Sequence, residues 1–449
     1  MKALVRLVAA SRGPAGWGVE FGEAGLEKRL ATEVEVFARV FGSARFDIPA
    51  GIIVAVVALP LALGFGVTSG AGPASGIVTA IVAGLVAGIL GGSKYQVSGP
   101  TGAMVVVLFP VIAQVGMAGL LVVGVLAGVA IVLFGVFGLG KYVEKIPWPV
   151  MEGFTLGIAV VIALQQLPLI FEVPRGGGTE TLLVAWGTLQ NVGLASLHFW
   201  PIGLVIATLI IKVGWSSLRT KWPSLRVIPP SAVAVVALSL FAWVISAPVV
   251  TIGVLPSGSL FRFNLAWPDL PMGTLIYAAV VVALLGAIES LLSARVADAM
   301  VKRRDGVILA PYRPDRELVG QGLATIAASL VGGMPATGAI ARTAVNINAG
   351  AKTRLAAVVH ALILFLFVFA LGGVVSHIPT AVLAGVLLGA SWRIANPASI
   401  MENMRTTWPS RLSYLATAAV VVSIDLIWGI VVGVLVHALA TGVSHRNDS

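Results

Sequence analysis

The sequence predicts an all-α polytopic membrane protein whose fourteen transmembrane segments form a seven-plus-seven inverted repeat. Three observations carry that expectation. The 449 residues are 58% hydrophobic and only 11% charged, with mean hydropathy +1.00, against about 45–50% and about 25% in soluble domains. Lysine and arginine fall in alternate loops. A Thr-Gly-Ala motif behind a proline occurs twice, half a chain apart and in opposite orientation.

The composition excludes a soluble enzyme and an intrinsically disordered chain, since disorder needs low hydrophobicity and high charge. Apolar runs such as 48–63 and 278–288 are too long and unbroken for the alternating strands of a membrane barrel. There is no cysteine, which removes disulfides, thiolate metal sites and cysteine nucleophiles. The net charge of +10 reads as basic inner loops facing anionic lipid, and nucleic acid is not expected as a partner.

Residues 1–45 are the only long polar stretch. They lack an apolar core followed by a small-residue cleavage site, so no secretory signal is expected. Leu26, Leu30, Phe37 and Phe41 recur at helical spacing among Arg29, Glu33 and Glu35. They predict an amphipathic helix resting on the inner membrane surface. A transmembrane domain then covers 46–443, with repeats over about 46–250 and 270–443. Spans are expected at about 47–68, 73–92, 101–112, 118–139, 149–171, 199–217 and 230–247. The second half continues at 274–298, 317–332, 337–348, 355–375, 379–391, 410–424 and 426–443. Residues 179–195 suit an additional interfacial helix, and 444–449 a short tail. The spans 101–112 and 337–348 are too short to cross a bilayer alone.

The basic residues support this order. With the N-terminus placed in the cytoplasm, inner segments hold 25 of the 29 Lys and Arg, from seven before residue 46 to Arg446. Lys212 is counted in the inner segment that runs to Arg226. Outer loops hold Arg175 and Arg262, while Arg295 and Arg342 fall in spans. Both termini are therefore expected in the cytoplasm of a bacterial-type inner membrane.

Pro100-Thr101-Gly102-Ala103 and Pro335-Ala336-Thr337-Gly338-Ala339 each follow a glycine-rich, non-helical stretch and open one of the short spans. By the charge map the first runs inside to outside and the second outside to inside. A half-helix starting mid-membrane points free N–H groups and a positive dipole end into the bilayer centre. Irregular backbone survives there only around protein or a polar cavity. Two such ends facing one another make an anion site without a charged side chain, and glycine lets the ligand approach the backbone.

At this point the sequence resembles the sulfate permease (SulP) family of anion transporters. The resemblance rests on Phe46-Asp47-Ile48-Pro49-Ala50-Gly51 with Leu59-Pro60, on Gly99-Pro100-Thr101-Gly102-Ala103, and on Glu289-Ser290-Leu291-Leu292-Ser293-Ala294. It also rests on Glu317-Leu318-Val319-Gly320-Gln321-Gly322 and, most specifically, on the run from Gly332 to Thr343. It implies the nucleobase-permease-like fold, with a core domain and a gate domain that move against one another. The anion is implied between the third and tenth spans, placing Leu61, Phe65, Thr101, Gly102, Thr337, Gly338, Ala339, Ile340, Ala341 and Arg342 around it, with Glu289 adjacent. Some relatives carry serine where this chain has Ala339 and Ala341, which leaves backbone N–H groups for recognition. The family usually continues into a cytoplasmic STAS domain, and the expectation here is a membrane domain without one. A homodimer is implied as well.

Several residues keep two readings. Glu289 lies mid-span, where an ionised carboxylate is costly. It either carries a proton coupled to anion uptake or is a structural carboxyl bonded between helices. Arg342 supplies charge to the site, neutralises Glu289 or caps carbonyls. Thr101 and Thr337 are N-caps or ligands. Phe65 is packing unless the resemblance holds. Asp298 and Arg295 are expected as a surface ion pair. Asp47 and Asp425 are expected to serve the dipoles of the spans they begin. Glu152, Gln165 and Gln166 are expected to bond across helices, with Glu152 alternatively facing the core–gate cleft. The histidines have no ligand spacing, so no metal is expected. No phosphate-binding loop is present, and no cofactor is expected.

The function expected is secondary active uptake of a small oxyanion or carboxylate (sulfate, bicarbonate or a dicarboxylate such as fumarate), coupled to protons through Glu289. Sodium symport and anion exchange are alternatives, as is a passive channel or a voltage-responsive protein like prestin. The run Ala339-Ile340-Ala341-Arg342 speaks against a nucleobase permease.

Overall fold

The computed structural model describes the backbone of residues 23–143, 145–178, 180–193, 198–222, 225, 228–253, 272–306 and 311–447. Residues 1–45 form one unit and 46–449 a second, which contains everything described below. The amphipathic face expected on Leu26, Leu30, Phe37 and Phe41 lies outside the described side chains.

Helices coincide with all fourteen expected spans. In the first half they are α1 (Glu23–Ser69), α2 (Pro73–Leu90), α3 (Gly102–Val136), α4 (Gly140–Val143), α5 (Trp148–Leu164), α6 (Leu167–Phe171), α7 (Thr181–Gln190), α8 (Phe199–Lys221) and α9 (Pro230–Val244). The second half has α10 (Met272–Asp305), α11 (Pro314–Leu330), α12 (Ile340–Asn348), α13 (Leu355–Val375), α14 (Thr380–Ala395), α15 (Pro397–Met404), α16 (Trp408–Ser423) and α17 (Leu426–Asn447). The spans expected at 101–112 and 118–139 share α3, which breaks at Gly116. There φ is 63° and ψ −169°, a conformation open to glycine and strained for other residues. The interfacial helix expected over 179–195 is α7.

Packing divides the spans into two bodies. Helices α2, α3, α10, α11, α12 and α13 pack on one another, with α3 against α10 and α11 as a central seam. Helices α5, α8, α9, α14, α16 and α17 form the other body. The first is the core of the implied fold and the second its gate.

Short extended segments precede both half-helices and were not foreseen as strands. Ser98–Gly99 (β1) pairs antiparallel with Thr337–Gly338 (β2), Ser98 opposite Gly338 and Gly99 opposite Thr337. The pairing satisfies backbone groups that no helix can serve at that depth.

Two buried carboxylates fasten the core. Asp47 lies near the start of its span, Gly42–Ser69, as expected, but not at a helix N-terminus, because α1 begins well upstream. Its carboxylate accepts the Lys352 and Thr353 N–H groups at 2.7 and 3.0 Å and the Thr353 hydroxyl at 2.6 Å. It thus serves the N-terminus of another helix, α13. Glu317 on α11 accepts the N–H groups of Gly92 and Ser93, both at 2.7 Å, just beyond α2. Replacing Asp47 with alanine is expected to cost about 3 kcal/mol, the scale of hydrogen bonds to a charged group. It would be read as a lowered melting temperature of the detergent-solubilised protein, and an unchanged one would remove this fastening role.

Asp425 does serve its own span, accepting the Trp428 N–H at 2.8 Å. The Asp298–Arg295 ion pair is replaced by other contacts. Asp298 accepts the Tyr312 N–H at 2.9 Å, and Arg295 Nη1 donates to Met151 Sδ at 3.4 Å. The ion pairs on this face run from Arg304 (2.7 Å) and Lys352 (3.5 Å) to Asp305. Arg304 and Asp305 sit nearly two turns past Asp298, at the end of α10, and Lys352 reaches Asp305 from just before α13.

Candidate functional site

A narrow crevice separates the two half-helix ends from the gate. Its core wall is formed by Leu61 and Phe65 of α1, Thr101 and Gly102 at the start of α3, Glu289 and Leu292 of α10, and Ala339 to Arg342. Its gate wall is formed by Phe154, Thr155, Ile158 and Ile162 of α5 with Ala390 and Ile394 of α14. The water-accessible volume is ≈ 50 Å³. At about 10–15 Å³ per water, it takes roughly four heavy atoms.

Gly102 at the start of α3 and Ile340 to Arg342 in the first turn of α12 line this crevice, and first-turn N–H groups have no acceptor within their own helix. Thr101 is the N-cap of α3, yet its hydroxyl makes no cap bond. It donates instead to Glu289 Oε2 at 2.9 Å. Thr337 does not begin its half-helix. It lies in β2, α12 starts at Ile340 with Ala339 as N-cap, and the Thr337 hydroxyl also reaches Glu289 Oε2, at 2.7 Å. The two hydroxyls stand 3.1 Å apart. Neither threonine is a helix cap by its side chain, because each hydroxyl is turned to donate to the buried carboxylate and not to accept from a helix N–H.

Glu289 is 6% exposed, and its oxygen is held by hydroxyls rather than by a cation. A hydroxyl both donates and accepts. The same two threonines can therefore donate to an ionised carboxylate and accept from a protonated one without moving. Arg342 is 1% exposed. Its Nη2 donates to Pro100 O at 2.5 Å, while Nη1 has no protein partner. Of the roles open for it, carbonyl capping is present, and its charge lines the same crevice as Glu289. Gly338 is brought to the ladder but not to the crevice. Its N–H donates to Ser290 Oγ at 3.1 Å, and its Cα faces the Gln96 side chain.

Because Thr101 and Thr337 share one acceptor, either alone still satisfies it. The double variant Thr101→Val with Thr337→Val is therefore expected to destabilise by more than the two single variants together. The expected coupling lies within about 0.5–3 kcal/mol. Thermal unfolding of the four proteins measures it, and additive losses would show that the hydroxyls act independently.

The gate wall was not legible in the sequence. Phe154, Ile158 and Ile162 recur at helical spacing on an apolar span, a pattern identical to ordinary packing. Thr155 is the one hydroxyl among them, and it donates to Met151 O of its own helix at 2.9 Å. Glu152 accepts the Ser399 hydroxyl of α15, so it bonds across helices within the gate. Gln166 bonds to Ile162 O at 2.8 Å on its own helix. Among the described residues no group of three or more His, Asp or Glu is placed to hold a metal.

Comparison with known proteins gives the family and the fold. Residues 45–441 match the model of the sulfate permease family. YvdB, a candidate sulfate transporter of Bacillus subtilis (strain 168), is 37% identical over 87% of this chain and 72% of its own length. The bicarbonate transporter BicA of Picosynechococcus sp. (strain ATCC 27264 / PCC 7002 / PR-6) is 32% identical over 89% of this chain and 70% of its own length. The solved transmembrane domain of a cyanobacterial BicA superposes with TM-score 0.73 at 26% identity. It covers 89% of this chain and 98% of that domain.

Proposed function

The chain belongs to the sulfate permease family of multi-pass membrane anion transporters, and from that premise we propose that it is a proton-coupled secondary transporter of a small inorganic oxyanion. The crevice between Thr101–Gly102 and Ala339–Arg342 is the anion's seat in this reading, and Glu289 carries the proton. The observation that carries it is the placement of one buried carboxylate between two half-helix N-termini, bonded to a hydroxyl from each motif.

Charge supports the coupling. Each helix end acts as roughly +0.5 charge, Arg342 adds a full positive charge, and ionised Glu289 cancels it. Protonating Glu289 roughly doubles the net positive charge that the anion meets, so proton and anion favour each other's binding. Size supports the substrate class. Room for roughly four heavy atoms suits bicarbonate or sulfate better than a dicarboxylate such as fumarate.

The division of polarity supports the transport step. The polar groups that can hold the anion lie on the core, and the gate opposes them with apolar side chains. An anion so held travels with the core as it moves against the gate. Toward one membrane face, α12 and α14 continue from the crevice into a large vestibule lined by Lys212, Arg219 and Arg393. The charge map makes that face cytoplasmic, with both termini on it. We also propose a homodimer, and crosslinking in native membranes that yields only monomer would refute it.

The test is uptake into proteoliposomes with labelled bicarbonate and labelled sulfate, under an imposed pH gradient and, separately, a sodium gradient. Accumulation beyond electrochemical balance with the pH gradient alone is expected. Equilibration without accumulation would identify a passive channel, and accumulation only with sodium would reassign the coupling ion.

A further inference from the structure

We infer that the vestibule is a second anion-binding station, with the Lys212 amino group as its buried donor, Arg219 and Arg393 as further positive charge, and a free inorganic oxyanion as its ligand. The identity of that anion rests on the transport reading above; the station itself rests on the geometry of the vestibule.

Lys212 is counted with the inner charges and falls inside the span expected at 199–217. It lies within α8, nine-tenths buried, and its Nζ donates to Val386 O of α14 at 2.8 Å. The packing is built to admit it. Gly385 and Gly389 of α14 face Thr208 and Lys212 of α8, four residues apart on both helices. A Cβ at Gly389 would overlap the Lys212 ammonium, and one at Gly385 the Thr208 side chain. Small residues at this spacing let membrane helices approach closely. Here they let a lysine stem cross the interface.

An ammonium has three donors, and Val386 O takes one. Lys212 also lines a vestibule of ≈ 1280 Å³ whose described lining contains no carboxylate. Arg219 and Arg393 line the same space, as does Ser231 in the first turn of α9, a positive dipole end. A cation inside a span is costly unless paired, and no acidic residue of the wall pairs this one. The complementary partner is an anion arriving through the vestibule.

The station borders the crevice across α14, whose Ala390 and Ile394 line the crevice and whose Gly389 and Arg393 line the vestibule. An anion bound there has passed from core ligands to gate ligands, which leaves the core free to return.

The cysteine-free chain permits a direct test in detergent, without any transport. Ser216→Cys places a single thiol one turn from Lys212 on an exposed position of the vestibule wall. Its reaction rate is compared for anionic methanethiosulfonate ethylsulfonate and its cationic trimethylammonium analogue. The anionic reagent is expected to be favoured, and adding Lys212→Met is expected to cut that preference about tenfold, the lower end of electrostatic steering. Lys212→Arg should keep it. Sulfate and bicarbonate should slow the reaction with Lys212 present and not in the Lys212→Met background. If that variant fails to assemble, Arg393→Gln on the rim carries the same comparison. Equal preference with and without the charge would overturn the station. So would protection by phosphatidylglycerol but not by either free anion. Loss of transport with these thiol results intact would instead count against the transport reading alone.

Discussion

Gly102→Leu is expected to reduce anion uptake by about 100-fold or more, the scale of a misplacement near 1 Å at a reacting or binding centre. Gly102 opens α3 on the crevice wall. A Cβ there would overlap the Ile162 side chain and lie 3.2 Å from Phe65 Cε1. A leucine would both fill the seat and push the gate helix α5 away from the core. The assembled protein should still elute as a single species in gel filtration, because the surrounding contacts are apolar and border a cavity. Gly338→Leu should behave differently although it occupies the matching motif position. Its Cβ would overlap Gln96 behind the ladder, an overpacking that lowers the yield of folded protein. Wild-type uptake by Gly102→Leu would remove the crevice as the anion's seat.

Glu289→Gln is expected to abolish proton-driven accumulation while sparing anion exchange. Bringing an anion to about 4 Å from an ionised carboxylate costs about 4 kcal/mol at an effective dielectric of about 20, close to a thousandfold in occupancy. Protonation removes that repulsion, so uptake by the wild type should rise as pH falls on the side of entry. The glutamine is permanently neutral and can keep both threonine contacts, donating and accepting as the protonated acid does. It should bind anion without needing a proton, exchange labelled for unlabelled anion, and show no response to a pH gradient. If the variant concentrates substrate as wild type does, the proton travels elsewhere, with Glu152 the next carboxylate to replace.

Much of this architecture is legible in the sequence because its signals are one-dimensional. Span positions follow from apolar runs, and the half-helices from a repeated Thr-Gly-Ala behind glycine-rich backbone. The crevice then brings Leu61, Phe65, Thr101, Gly102, Glu289 and Ala339 to Arg342 to one place. What was illegible depends on pairing across the chain. Nothing local in Ser98–Gly99 announces a strand, because its partner is in the other repeat. Thr337 looks like the equal of Thr101, yet α12 begins three residues after it, while α3 begins directly after Thr101. Lys212 falls inside the span expected at 199–217 but is grouped with the basic residues that follow it, which hides its burial. Only the facing pair Gly385 and Gly389 shows that it is buried, and that spacing was visible but unassigned. Asp47 shows the same limit, since its partners, Lys352 and Thr353, are 305 and 306 residues away.

The two-residue ladder has a consequence for biogenesis. Thr101 and Thr337 are separated by 236 residues. At 5–20 residues per second, the ribosome delivers the second motif roughly 10–50 s after the first. During that interval the first half-helix stands in the bilayer with the backbone of Ser98 and Gly99 unserved, a state that hydrocarbon penalises by several kcal/mol per group. The N-terminal repeat cannot mature as an independent unit. It must be sheltered by insertion machinery or stay near the translocon's aqueous interior until its counterpart emerges. Variants that weaken β2 should therefore accumulate as insertion-arrested intermediates cleared by membrane proteases, rather than as folded but inactive carriers.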